Sequence, residues 1–150
     1  MKKLIILIAT FLCSTAMSAE QPSKFGDWTE SADYNGYVSV EMVTGNFVAI
    51  LKGRDSLKFG MIMPMETCYM SEAYAEPFGN LLVLGTYNAF VMQCLDKGIA
   101  VAFPESDAVN DGIVETLAKG SNICVSEDEY KFCFSSNGVK ELQESIKDKS

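Results

Sequence analysis

The sequence contains no histidine, and of its twelve basic residues only Arg54 is an arginine. The first absence excludes serine–histidine–aspartate and cysteine–histidine catalysis, HExxH zinc sites and histidine pH switches. The second, set beside twenty acidic residues and a formal net charge of −8, leaves no basic stripe to release counterions from phosphate. Nucleic acid is therefore not an expected partner. CxxC spacing is also missing, which argues against a zinc knuckle and against a dithiol redox centre. There is no EF-hand loop, internal repeat, low-complexity tract or linker. What remains is a 150-residue chain with 48% hydrophobic residues, enough for one globular domain and too apolar for disorder.

The N-terminus is distinctive. Lys2 and Lys3 precede a ten-residue apolar run, Leu4 to Cys13, and the small-residue segment Ser14-Thr15-Ala16-Met17-Ser18-Ala19 follows. That order is a secretory signal peptide. Such a run, at ~1.5 Å per residue, falls well short of the ~30 Å that a membrane anchor must cross. Thr10-Phe11-Leu12 ahead of Cys13 lacks the small residue of a lipoprotein signal. Residues 1–19 are expected to be cleaved, after Ala16, Ser18 or Ala19, leaving residues 20–150 as a single β-rich domain. No later stretch is apolar enough to span a membrane, so the expected location is the periplasm or the exterior.

Export sets how the cysteines are read. With Cys13 removed, Cys68, Cys94, Cys124 and Cys133 remain, an even number in an oxidising compartment. Two disulfides then have three possible connectivities. A hairpin selects among them. If residues facing each other sum to 257, with Asp128-Glu129 at the tip, Ile123 meets Phe134 and Val125 meets Phe132 on the core side. Cys124 then opposes Cys133 in a non-hydrogen-bonded pair, close enough for a bridge, and Cys68 is left with Cys94. Each bridge contributes about 3 kcal/mol in the loop-entropy treatment.

Short strands with frequent turn signals predict a mainly β fold, an antiparallel β-sandwich or barrel-like domain with one internal helix and a short C-terminal helix. Asn35-Gly36 marks a hairpin. Residues 37–43 alternate, with Val38, Val40 and Met42 on one face and Tyr37, Ser39 and Glu41 on the other. Further strands are expected at 47–51, 57–65, 81–85, 88–94 and 99–103. The internal helix starts at Ser106 or Asp107, either of which can cap it, and carries Val109, Ile113 and Leu117 on one face. Lys119 and Gly120 supply its C-terminal signals, while Gly112 in its middle costs roughly 1 kcal/mol relative to alanine. Val139, Leu142 and Ile146 form the inner face of the last helix.

Several features could carry chemistry. Met61, Met63 and Met65, with Met70 and Cys68 nearby, suggest soft ligands for Cu(I). Their period of two also places them in line with Leu57 and Phe59, which is the pattern of a buried strand face and the favoured reading. The acidic groups Glu127-Asp128-Glu129, Asp107/Asp111 and Glu141/Glu144 fall at a turn, a helix start and a helix surface, where carboxylates are solvated or complement a dipole. Trp28 is expected to anchor the first strand in the core. The 66–80 connection, which contains Pro77 and Gly79, is the expected contact surface, presenting Tyr69, Tyr74 and Phe78, with Tyr87 beside it.

The Phe25-Gly26-Asp27-Trp28 opening of the exported chain and the strand ending Met61-Ile62-Met63-Pro64-Met65 resemble the invasion-associated locus B family of bacterial envelope proteins. The resemblance is closest over residues 94–146. There a cysteine is followed by a strand ending Phe-Pro, a helix ending Lys-Gly, a hairpin, and Phe134-Ser135-Ser136-Asn137-Gly138 before the last helix. It implies a periplasmic or surface-associated β-sandwich-like domain, an association with host-cell invasion, and no catalytic residues. The resulting expectation is a non-enzymatic envelope or secreted protein that binds an unknown protein or envelope partner, or supports the surface, with no cofactor and no metal. The alternatives are an exported carboxylate-dependent hydrolase and a methionine-rich copper-binding protein.

Overall fold

The computed structural model describes residues 21–148. The expected signal peptide at 1–19 lies outside the described residues. Ten strands form one antiparallel sheet. The first five are β1 (Lys24–Phe25), β2 (Trp28–Ser31), β3 (Gly36–Val40), β4 (Val48–Lys52) and β5 (Lys58–Pro64). They run as a meander of neighbours. Next come β6 (Glu76–Val83), β7 (Thr86–Asp96) and β8 (Ile99–Pro104), laid down in reverse so that β8 pairs with β5. Helix α1 (Asp107–Ala118) returns the chain to the far side, where β9 (Ile123–Glu127) joins β6 and pairs with β10 (Tyr130–Phe134). Helix α2 (Val139–Lys147) follows.

The sheet is not closed, but its two ends meet. The Met42 N–H donates to Cys133 O at 2.8 Å, the Trp28 indole N–H to Ser135 O at 3.0 Å, and the Asp27 N–H to Asn137 O at 3.1 Å. Inward-facing side chains of both halves fill the space between, with Trp28, Leu51, Phe59, Met61, Phe90 and Phe134 all essentially inaccessible to solvent. Phe59 and Phe134 stack edge-on with ring centres 5.5 Å apart. Ile113 and Leu117 of α1 and Val139 and Leu142 of α2 complete the core.

The β9–β10 hairpin adopts the register read from the sequence, with Phe132 opposite Val125 and Cys133 opposite Cys124. Both expected disulfides are present, Cys124–Cys133 with Cα atoms 4.0 Å apart and Cys68–Cys94 at 5.5 Å. Asp128 relieves the poor turn chemistry of Asp-Glu by adopting φ 48°, a left-handed conformation that aspartate tolerates better than most residues.

The expectations for two segments need correction. The 66–80 segment is not all connection, because β6 already begins at Glu76. Pro77 and Gly79 mark a β-bulge within that strand, and the strand stops at Val83 because Leu84 and Gly85 form the turn into β7, both with positive φ. Ser106 occupies the N-cap of α1 but its hydroxyl caps nothing, and Asp107 instead sits in the first turn and meets Lys58. At Gly112, in the middle of α1, a Cβ would lie 3.1 Å from a side-chain methyl of Leu84 at the β6–β7 tip, so alanine there needs a small shift of that exposed side chain.

Candidate functional site: a cleft on the outer face of the sheet

On β8 the usual size pattern is inverted. Its buried face carries the small Ala100 and Ala102, followed by Pro104, while the larger Ile99, Val101 and Phe103 point outward. The neighbouring strands add Ile50 from β4, Gly60 from β5, and Gln93 and Leu95 from β7. These residues line an open cleft of about 850 Å³. Gly60 keeps its floor low, since a Cβ there would lie 2.8 Å from a methyl of Val101 and 3.2 Å from one of Ile50. Apolar side chains grouped on a sheet face that no other layer of the described residues covers are the usual lining of a ligand site.

Helix α1 forms one wall. Asn110, almost fully buried, accepts a hydrogen bond from the Phe59 N–H at 2.8 Å and donates one to Phe59 O at 3.0 Å. The β5–β8 ladder spans only Met61 to Pro64 on β5, so Asn110 stands in for the missing strand partner at Phe59 and fixes the helix against the sheet. At the mouth, Lys58 lies 2.6 Å from Asp111 and 3.1 Å from Asp107, contacts that raise its pKa. Asp33, Asp96 and Glu105 are exposed along the rim.

The other expected sites fall elsewhere. Met61 and Met63 are core residues, Met65 is half-buried and packs against the same core, and Met70 is exposed. The Cys68 sulfur is committed to its disulfide, so these groups do not form a joint soft-ligand set. Replacing Met63 by leucine, a nearly volume-conserving change, should cost less than about 1.5 kcal/mol in thermal unfolding, and added Cu(I) should shift neither midpoint. A Cu(I)-dependent rise in the wild type alone would refute the core assignment. Among the described residues, no three histidine, cysteine, aspartate or glutamate side chains gather as a metal site.

Of the expected contact surface, Tyr69, Tyr74 and Tyr87 are well exposed, whereas Phe78 is half-buried and packs on the core. The loop that carries Tyr69 and Tyr74 is anchored to β7 by the Cys68–Cys94 bridge, by the Glu72 N–H donating to Cys94 O at 2.9 Å, and by the Gln93 amide donating to Glu72 O at 2.6 Å. Trp28 is a buried anchor, as its position suggested.

A buried carboxylate escaped the sequence analysis. The face of β3 carrying Ser39, continued by Glu41 just beyond the strand, turns inward, while Val40 and Met42 point to solvent. Glu41 accepts hydrogen bonds from the N–H groups of Val43 (2.7 Å), Thr44 (2.6 Å), Gly45 (3.1 Å) and Cys133 (3.0 Å), and from the Thr44 hydroxyl (2.8 Å). Burial, the strongest single influence, pushes its carboxyl up, yet the N–H groups of Cys133, Thr44 and Val43 and the Thr44 hydroxyl together bring it down to about 2. Every lone pair that it offers is aimed at this chain, so Glu41 joins the β3–β4 turn to β10 and is not placed to act on a substrate. The run Glu41-Met42-Val43-Thr44-Gly45, a carboxylate directly before a polar turn, was the available signal. Compared with protein-family models, curated proteins and solved structures, the chain matches none.

Proposed function

We propose that this is an exported protein of the periplasm or the cell exterior that works by binding, without catalysis, through the cleft on the outer face of β4, β5, β7 and β8. The observation that carries this reading is the inverted β8, with alanines inward and Ile99, Val101 and Phe103 facing the cleft. Two disulfides and the absence, among the described residues, of a helix long and apolar enough to cross a membrane fit the exported setting. The resemblance to the invasion-associated locus B family supports the same setting and would add an association with host-cell invasion.

A carboxylate-dependent hydrolase needs one carboxyl kept protonated near neutral pH, which requires burial. The rim groups Asp33, Asp96, Glu105 and Asp107 are all exposed, which favours binding. The test is titration of the disulfide-intact chain with the neutral dye Nile red. One dye per chain should bind, and Phe103→Lys should abolish binding while leaving the fold intact by circular dichroism. Binding unaffected by Phe103→Lys would overturn the assignment of the cleft. Hydrolysis of an ester or glycoside panel that is lost in Asp33→Asn or Glu105→Gln would overturn the non-enzymatic reading.

A further inference from the structure

The floor of the cleft is hydrocarbon, and the two signs of charge at its mouth are unequal. Asp33, Asp96, Glu105 and Asp107 outnumber Lys52 and Lys58. Lys58 is already matched by Asp107 and Asp111, which leaves Lys52 against Asp33 and Glu105 at its end of the cleft, and Asp96 without a facing lysine at the other. Carboxylates fixed beside a low-dielectric wall focus a negative potential over the opening, and the chain's net charge of −8 acts in the same direction. Tyr34, half-buried in the lining next to Asp33, adds an aromatic ring, the group over which alkylammonium ions settle at about 6 Å or less.

Building on the reading of the cleft as a binding site, we propose that its ligand is a cationic amphiphile. The hydrocarbon or aromatic body rests on Ile50, Val101 and Phe103, and its ammonium or guanidinium group lies at the end of the cleft that carries Asp33 and Glu105, with Asp96 at the opposite end of the β7–β8 ladder. An anion with the same apolar body gains the same floor contacts but meets repulsion at the mouth, so sign selection belongs to the rim and affinity to the floor. The volume of about 850 Å³ suits a body of this kind, since small-ligand sites run from roughly 300 to 1,000 Å³.

Three ten-carbon probes isolate the two contributions: decyltrimethylammonium, decyl glucoside and decanoate, each kept below its micellar concentration and titrated calorimetrically into the disulfide-intact chain at low salt. The cation should bind about tenfold more tightly than the neutral probe, and decanoate most weakly. In 1 M salt, where screening acts over about 3 Å, the three affinities should converge. The double variant Asp33→Lys/Glu105→Lys changes two exposed rim groups and should reverse the order in favour of decanoate. Equal affinity for all three probes at low salt would overturn the cation preference and leave the apolar cleft standing. Binding by none of them would overturn the cleft as a binding site.

Discussion

Replacing Glu41 by alanine is expected to destabilise the protein by about 3 to 4 kcal/mol, a large share of the roughly 5–15 kcal/mol that holds a typical domain together. The carboxylate takes four backbone N–H groups and one hydroxyl. Those of Val43, Thr44 and Gly45 lie in an exposed turn and can turn to water, but the Cys133 N–H sits half-buried between the two ends of the sheet. Glu41→Gln should cost nearly as much, about 3 kcal/mol, because one oxygen is kept but the amide group faces donors. The pH dependence is the sharper test. A carboxyl lowered from its ordinary 4.5 to about 2 in the folded state binds its proton more weakly there than in the unfolded chain. The stability it confers is therefore complete above about pH 4.5 and disappears as the pH falls toward 2, a loss of about 3 kcal/mol. Thermal unfolding from pH 7 to pH 2 should show the wild type converging on Glu41→Gln at the acid end. Parallel profiles for the two proteins would disprove the role assigned to Glu41.

Gly138→Ala is expected to be the most damaging of the single substitutions considered, at about 4 kcal/mol or more. Gly138 has φ +92°, and a Cβ there would lie 2.0 Å from Phe25 O and 2.6 Å from the Gly26 nitrogen. The crossing is reciprocal, since a Cβ on Gly26 would lie 2.4 Å from Asn137 O. Both obstructions are backbone, so no side chain can swing away to make room. Gly120→Ala separates the two components of the effect. That residue has nearly the same φ, +88°, but nothing within 4 Å of a built Cβ, so alanine there should cost only about 1 kcal/mol. Denaturant midpoints for both variants measure the difference. Equal losses would mean that the close approach of the two segments contributes nothing.

The parts of the fold legible in sequence were those set by nearest-neighbour patterning. The β9–β10 register follows because Ile123, Val125, Phe132 and Phe134 must share a face, and that alternation also opposes Cys124 to Cys133. Helix α1 ends where Lys119 and Gly120 indicated. The first half of β6 was hidden because Pro77 and Gly79 have the composition of a turn, whereas here they form a bulge inside a strand. The cleft was hidden for a related reason. The run Ile99-Ala100-Val101-Ala102-Phe103 is apolar on both faces, and only the strand order shows which face the core occupies. The exposure of Tyr69, Tyr74 and Tyr87 could be anticipated, but the inward rotation of Glu41 depends on Cys133, ninety-two residues away.

The meeting of the two sheet ends also constrains the order in which the chain can become a folded protein. Trp28 donates to the carbonyl of Ser135, and Gly26 lies against Asn137 and Gly138. The first strands to be synthesised are thus finished only by residues 134–142, more than a hundred positions later. A polypeptide ending after β8 would lack β10 and α2, and Trp28 and Phe59 would lose the surface supplied by Phe134, Val139 and Leu142. Such a fragment has local hairpins and no enclosed core, so loop closure across most of the sequence must precede stability. The domain is consequently unable to enclose its core until the chain is complete through α2, whatever order its hairpins form in.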